Sequence, residues 1–267
     1  MSMTIGSVPY LNEKPLTRWF SHTDAGRNSG IKVVYAVPSE LARMLGAGEI
    51  AAALVSSFEY FRTPGYIIAP GVSISGQDEI LSVRAFSRVP WRQIESLALD
   101  TSSLTSAALL KILLSEQYGS HPAFLNHAPD LPAMLEIADA ALLIGDKGMM
   151  AKSEELITLD LGSAWKKLTR LPFVYAVWMG TPEGVTSQLT AALQRARDWG
   201  VTQIEEIVPE EARRIGCSER LVRHYLMHVM DYNLDEEHVQ ALTLFGQKAR
   251  KEGLLPQPPQ PVTIALG

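Results

Sequence analysis

The sequence predicts an α/β protein of two lobes, with mostly parallel sheets and a ligand cleft between them. Three observations carry this expectation. Short apolar or β-branched runs alternate with helix-forming segments over roughly the first 180 residues, the pattern of parallel sheets. The alternation falls into two series, each too short for a full doubly wound domain. Beyond residue 181 the pattern changes to helices alone.

Residues 4–8 read as a short buried strand, and Pro15 suits the first turn of a helix carrying Leu16, Trp19 and Phe20. The polar, glycine-rich stretch 22–30 reads as a loop. A β-branched strand over 31–37 leads to Ser39, the expected cap of a helix with Leu41, Met44 and Leu45 on one face. Gly46 and Gly48 end that helix, and 50–55 is the next strand. Ser56-Ser57 then opens a short helix stopped by Pro64-Gly65. Residues 66–75 are extended, and 80–87 alternate well enough for a strand.

The second series begins with a strand over 96–99 that runs into Asp100-Thr101-Ser102-Ser103-Leu104-Thr105-Ser106 and a strong helix former. Strands near 123–125, 140–144 and 157–161 alternate with helices over 130–137, after Gly145-Asp146 and around Trp165. The strand 173–178 completes the series. Helices are expected over 183–199, 201–215, 218–230 and 235–252, the last capped by Asp235 and stopped by Gly253. The proline-rich segment 256–261 reads as an extended tail. Strands 80–87 and 173–178 are the natural hinges, which assigns residues 1–86 and 175–267 to one lobe and 87–174 to the other.

A hydrophobic content of 46% with 20% charged residues is ordinary for a globular enzyme or binding protein. The net charge of −5 argues against a nucleic-acid surface, and Arg213-Arg214 and Arg220 with Arg223 read as solvated helix faces. No apolar run approaches the roughly 20 residues that span a bilayer, and the opening residues lack a signal-peptide pattern. The single cysteine, Cys217, allows no internal disulfide. The expectation is a cytoplasmic monomer or homodimer acting on a small molecule, with no nucleic-acid or membrane partner.

Ligands of parallel sheets sit at the carboxyl ends of the strands. Ser56, Ser57, Ser102, Ser103, Thr105, Ser106, Gly145 and Asp146 all fall there. A helix N-terminus carries unpaired N–H groups and partial positive charge, and hydroxyls around it add neutral donors that fit a carboxylate. Helix capping also accounts for such hydroxyls, and the two roles are compatible. Asp146 reads either as a cap or as a group that orients a partner or acts as base. His224 and His228 lie four apart, but the residues between them lack the glutamate of a zincin helix, so stacked surface histidines are the plainer reading.

Val8-Pro9-Tyr10-Leu11-Asn12-Glu13-Lys14-Pro15-Leu16 resembles the opening motif of the chorismate dehydratases of the futalosine route to menaquinone. Ala53-Leu54-Val55-Ser56-Ser57-Phe58-Glu59-Tyr60, Leu99-Asp100-Thr101-Ser102-Ser103 and Ala138-Asp139-Ala140-Ala141-Leu142-Leu143-Ile144-Gly145-Asp146 resemble later motifs of that family. Asp160-Leu161-Gly162-Ser163-Ala164-Trp165 and Leu171-Pro172-Phe173-Val174-Tyr175-Ala176-Val177-Trp178 complete the set in the family's order. The resemblance implies a type II periplasmic-binding-protein-like fold in a cytoplasmic enzyme, with no metal and no organic cofactor. It implies loss of water from chorismate to give 3-[(1-carboxyvinyl)oxy]benzoate, with Asn12 and Ser82 as catalytic residues. Tyr10, Leu11, Ser56, Ser57, Ser102, Ser103, Thr105, Ser106, Gly145 and Asp146 would surround the substrate. Ser56 and Ser57 are expected to hold one carboxylate, and Thr105 and Ser106 the other.

These motifs offer no His or Lys as a base, so a substrate carboxylate is expected to remove the ring proton while Asn12 and Ser82 set the geometry. The chain departs from the family pattern at Leu104, usually Arg, at Gln77-Asp78-Glu79, usually Asp-Gly-Pro, at Arg170, usually Gly, and at Lys147-Gly148, usually two alanines. Without that arginine the cup near Leu104 is expected to bind with neutral donors alone. Two other functions share this frame. One is a non-enzymatic binding or sensing protein for a small carboxylate on the same fold. The other is the sister enzyme that forms 1,4-dihydroxy-6-naphthoate, which opens with a Pro-Asn-Asp-like segment and carries a His-Glu near the site of Gly145-Asp146. This chain has neither feature.

Overall fold

The first sheet is laid down by β1 (Met3–Ser7), a 3-10 turn at Leu11–Glu13, α1 (Lys14–His22), α2 (Asp24–Arg27), β2 (Ile31–Tyr35), α3 (Pro38–Gly46), β3 (Ala52–Ser56), α4 (Ser57–Arg62) and β4 (Ile67–Gly76). The second comprises β5 (Val83–Ser87), β6 (Ser96–Asp100), α5 (Leu104–Leu113) with a π-helical extension at Leu114–Tyr118, β7 (Ala123–His127), α6 (Leu131–Ile137), β8 (Ala140–Ile144), α7 (Gly145–Met150), β9 (Ile157–Asp160) and α8 (Leu161–Thr169). The chain then returns through β10 (Phe173–Gly180), α9 (Ser187–Thr202), α10 (Ile204–Ile215), α11 (Glu219–His224), a π-helical turn at Tyr225–Val229, β11 (Met230–Asp231) and α12 (Glu236–Lys251). The computed structural model describes residues 3–101, 104–152, 154–255 and 261–265, so Ser102 and Ser103 of the expected site lie outside the described residues.

One sheet has the order β11-β4-β10-β3-β1-β2 and the other β7-β6-β8-β5-β9. The runs β2-β1-β3 and β7-β6-β8 are parallel. The strands that flank them, β10, β4, β5 and β9, join antiparallel. Strand 80–87 was expected to close the first lobe, but β5 pairs with β8 and β9 throughout and belongs to the second sheet. The chain therefore crosses between residues 76 and 83 and returns between 169 and 173.

Local differences have local causes. The expected loop 22–30 contains α2, capped by the Thr23 hydroxyl, and Gly26 is required there because a Cβ would lie 2.0 Å from the Trp19 carbonyl. Val37 rather than Ser39 is the N-cap of α3, because Pro38 already supplies the first helical φ and lacks the N–H that would need capping. The expected strand start at 80 fails because Leu81 adopts φ 61°, which no strand accommodates.

The interior is largely one body. A single apolar cluster joins Ile5, Leu54 and Val177 of the first sheet to Leu97, Leu109 and Leu142 of the second half. Its aromatic knot is Trp165, Phe173 and Phe245, with ring centroids 5.0–6.3 Å apart, contributed by α8, β10 and α12. Helix α12 also reaches across with Lys248, 2.5 Å from Glu116.

Beside the crossing, buried His238 is 2.7 Å from Asp235 and 3.4 Å from Asp231. Burial disfavours the charged imidazole, but the two carboxylates outweigh it and raise its pKa above the ordinary 6.5. Burial would raise Asp231, yet His238 and the Gln77 amide hold it well below the ordinary 3.8. The raised histidine stabilises fully below 6.5, and this contribution is lost as pH rises through its folded value. The depressed aspartate stabilises above 3.8 and fails only as pH falls through its lower folded value. Stability from this pair is therefore greatest between those limits. His238→Gln is expected to cost about 1–3 kcal/mol near the histidine-protonated end and less at alkaline pH. Urea denaturation at about pH 6 and about pH 9 measures the difference, and equal losses at both would refute the assignment.

Candidate active site

The carboxyl ends of β1, β3, β6 and β8 meet around a cleft. Val8, Tyr10 and Asn12 follow β1, Ser56 ends β3, Leu104, Thr105 and Ser106 follow β6, and Ile144 ends β8 with Gly145 after it. Tyr175 and Ala176 of β10 and Ser82 from the crossing complete the polar part of the wall, beside Leu54, Ile74, Ile80 and Val83. None of the described residues lining the cleft is Asp, Glu, Lys, Arg or His; Tyr10 and Tyr175 are its titratable side chains.

Ser82 is presented by an unusual turn. Its N–H donates to the Ile80 carbonyl at 2.6 Å across Leu81, whose φ of 61° costs a non-glycine residue about 1–3 kcal/mol. The Asp160 carboxylate holds the turn by accepting from the N–H groups of Ile80 at 3.1 Å and Leu81 at 2.9 Å, and from Ser163 at 3.1 Å. Burial raises the pKa of Asp160, and these backbone donors partly offset that rise.

Asn12 and Ser82 are joined through a residue that lies outside every sequence motif. Asn12 Nδ2 donates to the Tyr225 hydroxyl at 3.3 Å, and that hydroxyl donates to Ser82 Oγ at 2.8 Å. Tyr225 is the first residue of the π turn after α11, a distortion often found at functional sites. It is fully buried, and burial pushes its pKa up. The sequence signal was slight: a lone tyrosine on an apolar helix face reads as core.

The hydroxyl clusters are arranged differently from the expectation. Ser56 Oγ and Thr105 Oγ1 touch, so the two separate cups merge into one. Thr105 Oγ1 donates to the Tyr175 carbonyl and accepts from the Phe58 N–H, each at 3.2 Å. Ser56 supplies its hydrogen to Thr105, because the single Thr105 hydrogen is already used. Ser57 Oγ donates to the Val174 carbonyl at 2.7 Å, and Ser57 does not line the cleft. The hydroxyls of Ser56, Ser57 and Thr105 thus serve the junction of α4, α5 and β10, and Ser56 and Thr105 line the cleft together with Ser106.

Three other expected positions resolve as follows. Leu11 is fully buried in the core and does not line the cleft. Gly145 lines it beside Tyr10 with φ 59°, a conformation that favours glycine. Asp146 stands off the cleft, where it pairs with Arg214 of α10 at 3.0 Å. His224 and His228 are exposed, and their rings lie 5.8 Å apart but tilted by 40° rather than stacked. Among the described residues, no group of three His, Cys, Asp or Glu side chains is placed to hold a metal ion. No described helix is long and apolar enough to cross a membrane.

Two sheets with a cleft between their strand ends define a periplasmic-binding-protein-like fold, and solved structures agree. A protein of Archaeoglobus fulgidus superposes with a TM-score of 0.77 at 18% identity, covering 95% of this chain and 98% of its own. The periplasmic aliphatic sulphonate-binding protein of Escherichia coli gives 0.68 at 16% identity, covering 100% and 94%. In sequence, a protein of Thermus thermophilus named chorismate dehydratase is 32% identical over 262 residues, 91% of this chain and 93% of the relative. The family model for menaquinone biosynthesis matches residues 3–251. The chain belongs to this menaquinone biosynthesis family and is an enzyme.

Proposed function

We propose that this enzyme removes water from chorismate to give 3-[(1-carboxyvinyl)oxy]benzoate, on the futalosine route to menaquinone. The observation that carries the reading is a cleft whose described lining has no charged side chain. A dehydration needs a base and a partner for the departing hydroxyl. Chorismate carries two carboxylates, and a carboxylate taken from water into an uncharged cleft becomes more basic. The 32% identical relative named for this activity supports the same substrate.

In this reading a substrate carboxylate takes the ring proton, and the electrons of that C–H bond form the new ring double bond. The ring C–O bond breaks, and the departing oxygen leaves as water after receiving the proton. Ser82 donates a hydrogen bond to that oxygen, and Asn12 Oδ1 accepts one from its hydrogen. One carboxylate lies against the start of α5 at Ser106, and the other lies toward Tyr10 and Gly145. Aromaticity drives the step, so the protein supplies orientation, desolvation and fixed hydrogen bonds.

Incubating the purified protein with chorismate is expected to yield a product lighter by one water, seen by mass spectrometry. Tight binding of intact chorismate without product would favour a sensing role instead. Because Asp146 is engaged by Arg214 away from the cleft, Asp146→Asn is expected to change turnover by less than about fivefold, the scale of a partly exposed ion pair. Loss of all turnover with binding retained would make Asp146 the base and overturn this mechanism.

A further inference from the structure

We propose that Tyr225 is a positioning residue that fixes which of the two side chains beside it, Asn12 and Ser82, accepts hydrogen bonds in the cleft and which donates. The logic follows from what each atom can do. Asn12 Nδ2 is only a donor, so the phenol oxygen must accept from it at 3.3 Å. The single phenol hydrogen then goes to Ser82 Oγ at 2.8 Å. Ser82 therefore keeps its own hydrogen for the cleft, and the Asn12 amide is turned so that Oδ1 is left as an acceptor. Among the described residues, buried Asn12 Oδ1 has no hydrogen-bond partner, and neither has the buried hydroxyl of Tyr175 in the same wall. Orphaned buried polar atoms are rare, and two in one cleft wall mark where a ligand's own donor and acceptor complete the network.

Without the phenol hydroxyl the Asn12 amide has no fixed sense, and Ser82 loses the donor that directs its hydrogen outward. The π turn matters because it starts at Tyr225 and brings this ring beneath both side chains from a helix outside the motif-bearing half of the chain. The arrangement is polar and compact, with Tyr225 and Ser82 buried and Asn12 partly so, and a ring that keeps its shape and loses only the hydroxyl isolates it.

The kinetic arm of the test rests on the proposed dehydration, and the spectroscopic arm does not. Tyr225→Phe is expected to lower kcat about 10–100-fold with KM changed less than about threefold, the cost of leaving buried partners unsatisfied in the reacting geometry. In ¹⁵N-labelled protein the Asn12 side-chain amide resonances, assigned with Asn12→Ala, are expected to shift in Tyr225→Phe. Unchanged amide resonances would overturn the relay, as would an unchanged kcat or a parallel loss in kcat, KM and melting temperature. A wild-type protein inert towards chorismate would refute the reaction, while the amide resonances would still judge the relay.

Discussion

Asn12→Ala is expected to lower kcat by about 10²–10³-fold, the range found when one preorganised polar group is removed from a reacting centre. The melting temperature should fall by only about 2–4 °C, because the fold loses one long hydrogen bond to Tyr225, worth about 1 kcal/mol. The separation of the two effects is the point. Asn12 sits in a turn between β1 and α1 whose shape is secured by others: Leu11 is buried, Pro15 starts the helix, and buried Glu13 accepts from Thr17 at 2.5 Å and pairs with Lys14 at 2.9 Å. The amide is therefore spare for chemistry. Turnover within about tenfold of wild type would remove Asn12 from the reaction.

Asp160→Ala carries the largest expected effect on stability, about 3 kcal/mol or more, and should reduce kcat as well. Its carboxylate is the acceptor for the Ile80, Leu81 and Ser163 N–H groups and holds Leu81 in the left-handed region. Removing it leaves those donors unpaired and releases the turn that presents Ser82. A chain of this size should then melt about 6–12 °C lower. Asp160→Asn keeps one oxygen acceptor and should recover part of both losses. An alanine variant with wild-type melting temperature would show that the turn holds itself.

Much of the fold was legible because strand and helix periodicity are short-range signals: Pro15, Asp130 and Asp235 mark helix starts that the structure retains. The candidate site was legible where a strand end meets a helix, which pointed to Ser56, Ser106 and Gly145, while Tyr10 and Asn12 came from the resemblance; all five line the cleft. What escaped the sequence depends on partners far along the chain. Leu81 turns left-handed because of a carboxylate 79 residues away. Tyr225 reaches Ser82 across 143 residues and Asn12 across 213. The two hydroxyl clusters merge because Ser56 meets Thr105, 49 residues on, and Asp146 is drawn off by an arginine 68 residues away. No local pattern encodes such meetings.

Thr105 has a mechanical consequence. It acts as a rivet, binding the head of α5 to the Phe58 N–H on one side and the Tyr175 carbonyl on the other. Swinging the halves apart means shearing these bonds and the Ser56 contact, a resistance of about 2–4 kcal/mol before any ligand has arrived. A receptor that captures solutes works by gaping and snapping shut, and its shape is made by the guest. Here hydrogen bonds within the chain itself already tie the head of α5 to α4 and β10, so a ligand's contacts add to a junction that the protein makes for itself.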